Sequence, residues 1–452
     1  MTSILLALLA LNPSADLAAG KAALRAKDPD AAKAALQRCV TAAPESVDCH
    51  WELGWAHWLS RDWDATVESW EVVERLAPDH PELERYLGEA RGQQKLRAEL
   101  KAEEAAAPTL PPAAAAPGGP AAGALDSPLP MKLRLRAVGD VMLGTDFPAG
   151  HLPPEDGARM LTAVEALMRD ADLTFINLEG PLCDSGETRK CAKGGNCYAF
   201  RTPTRYGKFL KAAGADLAST ANNHSGDFGE ECRRETEATL DGLGIAWSGP
   251  PGSIATADAG GLRVAMIAFH TSGATNNVND HQTAQALVKR AQRGHDLVIV
   301  SFHGGAEGKK ALHVPEGGES FYGENRGDLR KFARAVIDAG ADLVLGHGPH
   351  VPRGMELYQD RLIAYSLGNF ATYGRFNLSG PLALGYVLEV ELASDGRFEG
   401  GRIFSTRQEG KGVPVLDEHG EAAQLIRKLS REDFGERGVR VAKDGRILRP
   451  AG

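Results

Sequence analysis

The chain has 452 residues, 25% of them charged and 43% apolar, with a formal net charge of −9. Its length exceeds one average domain and predicts two or three. The acidic balance gives no support for a nucleic-acid partner, and no apolar run approaches the ~20 residues of a transmembrane helix.

The opening segment, MTSILLALLALNPSA, places the apolar run Ile4 to Leu11 ahead of small residues. That order predicts a signal peptide over residues 1–15, cleaved near Ala15, and a secreted or periplasmic protein. No Lys or Arg precedes the run, so the plainer reading is an extra helical turn packed on the residues after it. Retention of the segment as an anchor is a further alternative. Six cysteines are compatible with export. Cys191 and Cys197 flank AKGGN and could close a small loop; Cys39 with Cys49 is a second candidate pair, leaving Cys183 with Cys232. Spacing does not set the connectivity, six unrelated thiols remain the bland reading, and zinc is disfavoured because no CxxC pair exists.

Residues 16–95 carry a repeat. Gly20, Gly54 and Gly88 are 34 residues apart, as are Pro44 and Pro78. Between them DAAKAALQRCVTAAP and DATVESWEVVERLAP align, with Leu36 and Trp70 at matching positions. Each reads as an amphipathic helix. With Leu-Gly on the preceding helix (WELGWAHW, RYLGEA), the period resembles the tetratricopeptide repeat. That resemblance implies a small all-α unit offering a face to a protein partner; a helical spacer without a ligand is the competing reading. Trp51, Trp55, Trp58, Trp63 and Trp70 are expected in its core. Residues 96–130, rich in Ala and Pro, predict a semi-rigid linker.

From Leu133 onward short apolar runs alternate with helical patterns, which predicts an α/β fold. Expected strands include LRLRAV, LTFINL, DLAST, LRVAMIAF, DLVIVSF, DLVLG, RLIAYSL and YVLEVEL. Expected helices are Gly157–Arg169, Thr204–Ala213, Glu231–Gly242, Thr283–Gly294 and Gly327–Ala339. The closing strands Leu362–Ser366, Tyr386–Leu392 and Arg402–Ser405 point to a second or mixed sheet. Residues 131–415 form this domain, and 416–452 form an extension of one amphipathic helix plus irregular chain.

The residues just past the apolar runs form a consistent set. LRLRAVGD ends at Asp140, LTFINLEG at Asn177 and Glu179, and DLASTANNH at Asn222, Asn223 and His224. DLVIVSFHGGAE ends at His303 and Glu307, and DLVLGHGPH at His347 and His350. Ligands of α/β sheets bind outside the carboxyl ends of strands. Carboxylate, amide and imidazole together suit Mn²⁺, Fe²⁺ or Zn²⁺, as one ion or two. Taken singly, Asp140 is a turn residue, Asn222-Asn223 a turn, Glu179 solvated and His303 a core histidine. Taken together, five such strand ends exceed coincidence. His50, His57, His80, His270 and His295 read as structural or surface residues.

The ordered motifs GDVMLG, INLEGPL, ANNHSGDFG, SFHGGAE, GHGPHV and YSLGNF, spanning Met131 to Ser405, resemble the CapA family of poly-γ-glutamate capsule proteins. That family is similar in fold to calcineurin-like metallophosphoesterases, a four-layered α/β/β/α sandwich around a two-metal centre. The resemblance implies Asp140, Asn223, His303, His347 and His350 as metal ligands. It also suggests Glu179 as a bridge and His224 as the acid that protonates a leaving group. Asn177, Asn222, Glu307 and Asn369 would support those ligands from behind. Three departures stand out. Asp140 is followed by Val141-Met142 where phosphoesterases have Asp-x-His, Glu179 stands where they have Asp, and His-x-x-His replaces His-x-His. Glu307 or Asn177 could fill the missing position. The leading expectation is a metal-dependent hydrolase acting on a phosphoester or capsule polymer. Its competitor is a non-catalytic envelope factor that binds an anionic polymer and docks a synthase through the repeats. Pure scaffolding would leave the strand-end residues unexplained.

Overall fold

The computed structural model describes residues 12–106, 131–188, 190 and 198–449. The predicted signal segment up to Leu11, Cys191 and Cys197, and residues 107–130 of the predicted linker lie outside them. Two compact units divide at Pro108.

The first unit consists of helices Pro13–Arg25, Pro29–Ala42, Val47–Leu59, Trp63–Leu76 and Leu83–Ala106. Asn12, Asp28, Ser46 and Asp62 cap the first four, each side chain accepting a hydrogen bond from the backbone N–H three residues on. The 34-residue period recurs in the backbone: Lys27 and Arg61, one residue ahead of the Asp caps, are both left-handed, with φ of 58° and 59°. It recurs in the packing too. A Cβ on Gly54 would lie 2.1 Å from Trp70 Nε1, and one on Gly20 would lie 2.4 Å from Leu36 Cγ. Gly88 meets nothing within 4 Å, because no further helix packs there among the described residues. Trp58, Trp63 and Trp70 are buried, with Trp51 and Trp55 packed at the margin of the same cluster. Cys39 and Cys49 are bonded. The last helix passes the boundary at residue 95: nothing breaks it before Pro108, and Leu96 and Leu100 are buried along it.

The second unit is α/β, with a ten-stranded and a seven-stranded mixed sheet. Strand Lys132–Met142 is central in the first. It pairs in parallel with Leu173–Leu178 and, at its far end, with Asn369–Thr372, and antiparallel with Leu384–Ala393. Leu217–Ser219 and Ala246–Ser248 extend that parallel side. In the second sheet Leu262–His270, Leu297–His303, Leu343–His347 and Arg361–Ala364 run parallel. The expected closing strands therefore divide: residues 361–364 join the second sheet, while Leu384–Ala393 and Phe398–Glu409 complete the first.

A single apolar cluster draws Leu135, Phe175 and Leu388 from the first sheet and Met266, Ile299 and Leu345 from the second. Elsewhere Ile176 and Ala218 of the first sheet pack with Met168, Leu210 and Leu240 of three helices. Phe269 and Phe302 of the second meet Phe332 of helix Leu329–Asp338. Cys183 and Cys232 are bonded. Two expectations need correction. Gly157–Arg169 is helical only over Glu165–Arg169, because Gly157 adopts φ of +81° and Met160, Leu161 and Val164 turn inward. Beyond helix Glu421–Phe434 the chain is not irregular: Arg440–Val441 and Arg446–Leu448 add to the first sheet.

Four strands begin on Asp-Leu: Asp172, Asp216, Asp296 and Asp342. Each Asp carboxylate accepts from the backbone N–H of the neighbouring strand, at Arg134, Thr174, Arg263 and Val298 respectively, over 2.7–3.0 Å. Each Asp N–H also donates to the carbonyl of that same neighbour.

Candidate metal centre

The strand ends opposite those aspartates carry two facing rows. In the first sheet Asn369, Asp140 and Asn177 are in register on three adjacent strands; in the second, His347, His303 and His270 are. Register partners point to the same face of a sheet. The rows meet edge on: Asn177 Nδ2 donates to Asp140 Oδ1 at 2.8 Å and lies 3.5 Å from His303 Nδ1. His347 Nδ1 is 3.3 Å from Asp140 Oδ1.

After His347 the chain doubles back. A Cβ on Gly348, at φ of +114°, would sit 2.4 Å from the Gly304 carbonyl oxygen, so only glycine permits this approach. His350 follows with φ of 60°, a left-handed conformation uncommon outside glycine. Its Nδ1 is 3.0 Å from Asp140 Oδ2 and 3.1 Å from Asn369 Oδ1, and its Nε2 is 3.6 Å from Glu179 Oε1.

Asp140, Glu179 and His303 each offer one ligand atom, all within 4.8 Å of one another, and could hold a metal ion. The chemistry of the buried atoms fits one. Both oxygens of Glu179, Asn223 Oδ1, His303 Nε2 and His347 Nε2 have no hydrogen-bond partner although buried. Each such atom costs about 1–3 kcal/mol when left unsatisfied, so a group of them favours a bound ion or water. Proton affinities in the group are strongly shifted, and an ion would have to displace the protons of Glu179 and His350 on binding. Burial would raise Asp140, but hydrogen bonds and charge from His347 and His350 hold it well below the ordinary carboxylate range. Burial, then the charge of Asp140, pushes Glu179 up. Burial would lower His350, yet Glu179 and Asp140 push it up to about 10. His303 is pushed well below 6.5 by burial, leaving a neutral imidazole able to coordinate.

His224 stands beside this group, its Nε2 3.9 Å from Glu179 Oε1. Its Nδ1 lies 2.7 Å from Asp227 Oδ2, and Asp227 also receives Lys190 Nζ at 2.7 Å and the Phe200 N–H at 2.9 Å. The sequence reading missed Asp227; its signal was an acid three residues past a histidine. Asn222 turns away, donating to the Leu178 carbonyl and accepting from the His224 N–H, so it braces the loop. Asn369 is held by the Leu382 carbonyl at 3.0 Å. Glu307 is paired with buried Arg326 at 2.9 Å and lies 3.9 Å from His350 Nε2.

A protein of two mixed sheets with this carboxylate–imidazole group at their shared edge is the class that the fold and site define. Residues 134–373, just over half of the chain, match the family described as bacterial capsule synthesis protein PGA_cap. The chain belongs to that family, the one that includes the CapA proteins. It is 27% identical over 314 residues to the PGA biosynthesis protein CapA of Bacillus subtilis, covering 65% of this chain and 77% of that protein. It is also 27% identical over 338 residues to the capsule biosynthesis protein CapA of Bacillus anthracis, covering 66% and 74%. A probable polyglutamine synthesis accessory protein of Mycobacterium tuberculosis is 29% identical over 233 residues, 44% of this chain and 55% of that one. No helix among the described residues is long and apolar enough to cross a membrane.

Proposed function

We propose that the chain is a metal-dependent hydrolase of the cell envelope, secreted or periplasmic, acting on a phosphoester or a poly-γ-glutamate-like capsule polymer. The observation that carries this reading is the buried Asp140–Glu179–His303 group flanked by His224, whose Nδ1 is tied to Asp227. Asp140, Glu179, Asn223, His303, His347 and His350 would hold one or two ions of Mn, Fe or Zn. When bound, such an ion polarises a phosphoryl or acyl oxygen and activates water. The remaining work falls to the chain. Asp227 accepts a hydrogen bond from His224 Nδ1–H and so directs Nε2 at the site; when the ring is doubly protonated, its charge balanced by Asp227, the Nε2 proton can pass to a leaving group. Asn177 and Asn369 orient Asp140 and His350. The shared core of the two sheets and the helices packed elsewhere on them support a four-layered α/β/β/α sandwich. The paired glycine contacts at 34-residue spacing support tetratricopeptide-like repeats, which would dock a protein partner.

The test is metal content of the purified chain, wild type beside His347→Ala/His350→Ala, followed by a phosphoester screen. One or two equivalents lost in the double variant, with turnover that depends on metal, supports the proposal. No metal in either, or turnover unchanged after chelation, sinks it. A second reading, a non-catalytic factor that binds an anionic polymer, is favoured by one feature. The position of the missing Asp-x-His histidine is Met142, fully buried in the core. Bound metal with no turnover of any phosphoester or polymer would select that reading.

A further inference from the structure

His270 belongs to the second row, yet it holds no place among the candidate ligands. It ends its strand in register with His303, is 4% exposed, and its ring lies 5.5 Å from that of His303 at 67°. In the facing sheet the strand next to Asn177 is Leu217–Ser219, in register through Ser219, and it leads directly into Asn222–His224. The row of histidines therefore runs past the metal group toward the leaving-group acid. The loop after His270 fixes its tautomer. Asn277 Nδ2 donates to the Thr271 and Ser272 carbonyls, and the Ser272 N–H donates to His270 Nδ1 at 3.2 Å. With Nδ1 occupied as an acceptor, the proton of the neutral ring sits on Nε2. Among the described residues that donor meets only the hydroxyl of the adjacent Thr271, at 3.3 Å. Burying an imidazole with so weak a partner is costly, and an apolar residue would fill the space more cheaply.

We propose that His270 extends the metal centre into a substrate subsite, its Nε2–H donating to an oxygen of the substrate's anionic group between His303 and His224. This rests on the metal-centre reading above and adds to it a residue that binds substrate without binding metal. The test uses the full chain, with inorganic phosphate as the probe. Wild type, His270→Leu, His270→Gln and His270→Asn are compared for metal content, melting temperature and phosphate affinity by titration calorimetry. Gln places an N–H near the Nε2 position; Asn reaches only as far as Nδ1, and Leu has no donor. The expected result is equal metal content throughout, phosphate binding about tenfold weaker in Leu and Asn, as loss of one charge-assisted hydrogen bond dictates, and near-wild-type binding in Gln. If Leu fails to fold, the Gln–Asn contrast decides. Phosphate affinity equal across the series, or unmeasurable in wild type, overturns the proposal, as does loss of metal in the folded variants. Absence of metal from wild type counts against the metal-centre reading instead, and the phosphate comparison can still be made.

Discussion

His350 Nδ1 lies 3.0 Å from Asp140 Oδ2, and that contact joins the two sheets at the edge where the candidate ligands gather. Asp140 ends a strand of the first sheet; His350 comes from the turn after a strand of the second. Neither position has meaning without the other sheet. Asn369 buttresses the pair, accepting toward His350 while its amide is held by Leu382. Replacing Asn369 with Ala should leave the fold intact and weaken metal binding by about 10–100-fold, the usual effect of removing a group that orients a ligand. Competition with a chromogenic chelator checks this.

Gly348→Ala should be worse than most ligand substitutions. The added Cβ would collide with the Gly304 carbonyl at 2.4 Å, on a backbone of φ +114°. Strain at such positions costs about 1–3 kcal/mol each before any clash is counted. Urea denaturation should show at least that loss, with metal content falling in parallel because the turn that carries His350 must move.

Asp227→Asn separates chemistry from metal binding. Asn can donate toward Nδ1 and favour the wrong tautomer of His224, while Asp140, Glu179 and His303 are untouched. Metal content should stay at the wild-type level while the rate of any metal-dependent hydrolysis falls by about 10²–10⁴.

The Cys183–Cys232 bond closes a separation of 49 residues and ties the loop after Glu179 to the helix after His224. Constraint of the unfolded chain predicts up to about 4 kcal/mol of stabilisation for a loop of that size. Cys183→Ala/Cys232→Ala should lose most of it in chemical denaturation, with the Cys39–Cys49 bond intact.

Stability should depend on pH through Asp342, away from the centre. Burial pushes its carboxyl up to about 6, outweighing the Val298 N–H and the Arg361 guanidinium 3.1 Å away. A raised native value means that the folded protein holds the proton more tightly than the unfolded one. The contribution is therefore full below pH ~4 and is lost as pH rises through about 6, by at most about 3 kcal/mol. Melting temperature across that window should fall less steeply in Asp342→Asn than in wild type.

Much of the candidate centre was legible because its residue types are confined to the ends of apolar runs, where neither core packing nor solubility calls for them. Asp140, Glu179, His303 and His347 could be read one strand at a time. His270 could not. Its strand ends in FHTSG as the next ends in FHGGA, but only the parallel pairing of the two makes that echo significant. The place of Asn369 likewise depends on a short strand that inserts beside Asp140 from 229 positions downstream, a non-local pairing that no local pattern encodes. The short strands of the C-terminal extension escaped for the reverse reason. Segments of two and three residues have too little alternation to register, and the sheet edge they join supplies their hydrogen bonds.

The Asp-Leu starts of four strands bear on the candidate centre from the opposite end of the sheets. Because side chains alternate along a strand, a slip of one residue would turn His303 or His347 out of the row altogether. Asp296 and Asp342 hold their strands to their neighbours by two hydrogen bonds each, and thus act as origin marks from which the position of each histidine is counted. The loops at the ligand edge are then free to diverge in length and sequence while the imidazoles stay aligned. Changes to those loops should therefore leave the two imidazoles aligned, provided the count begins at the same aspartate.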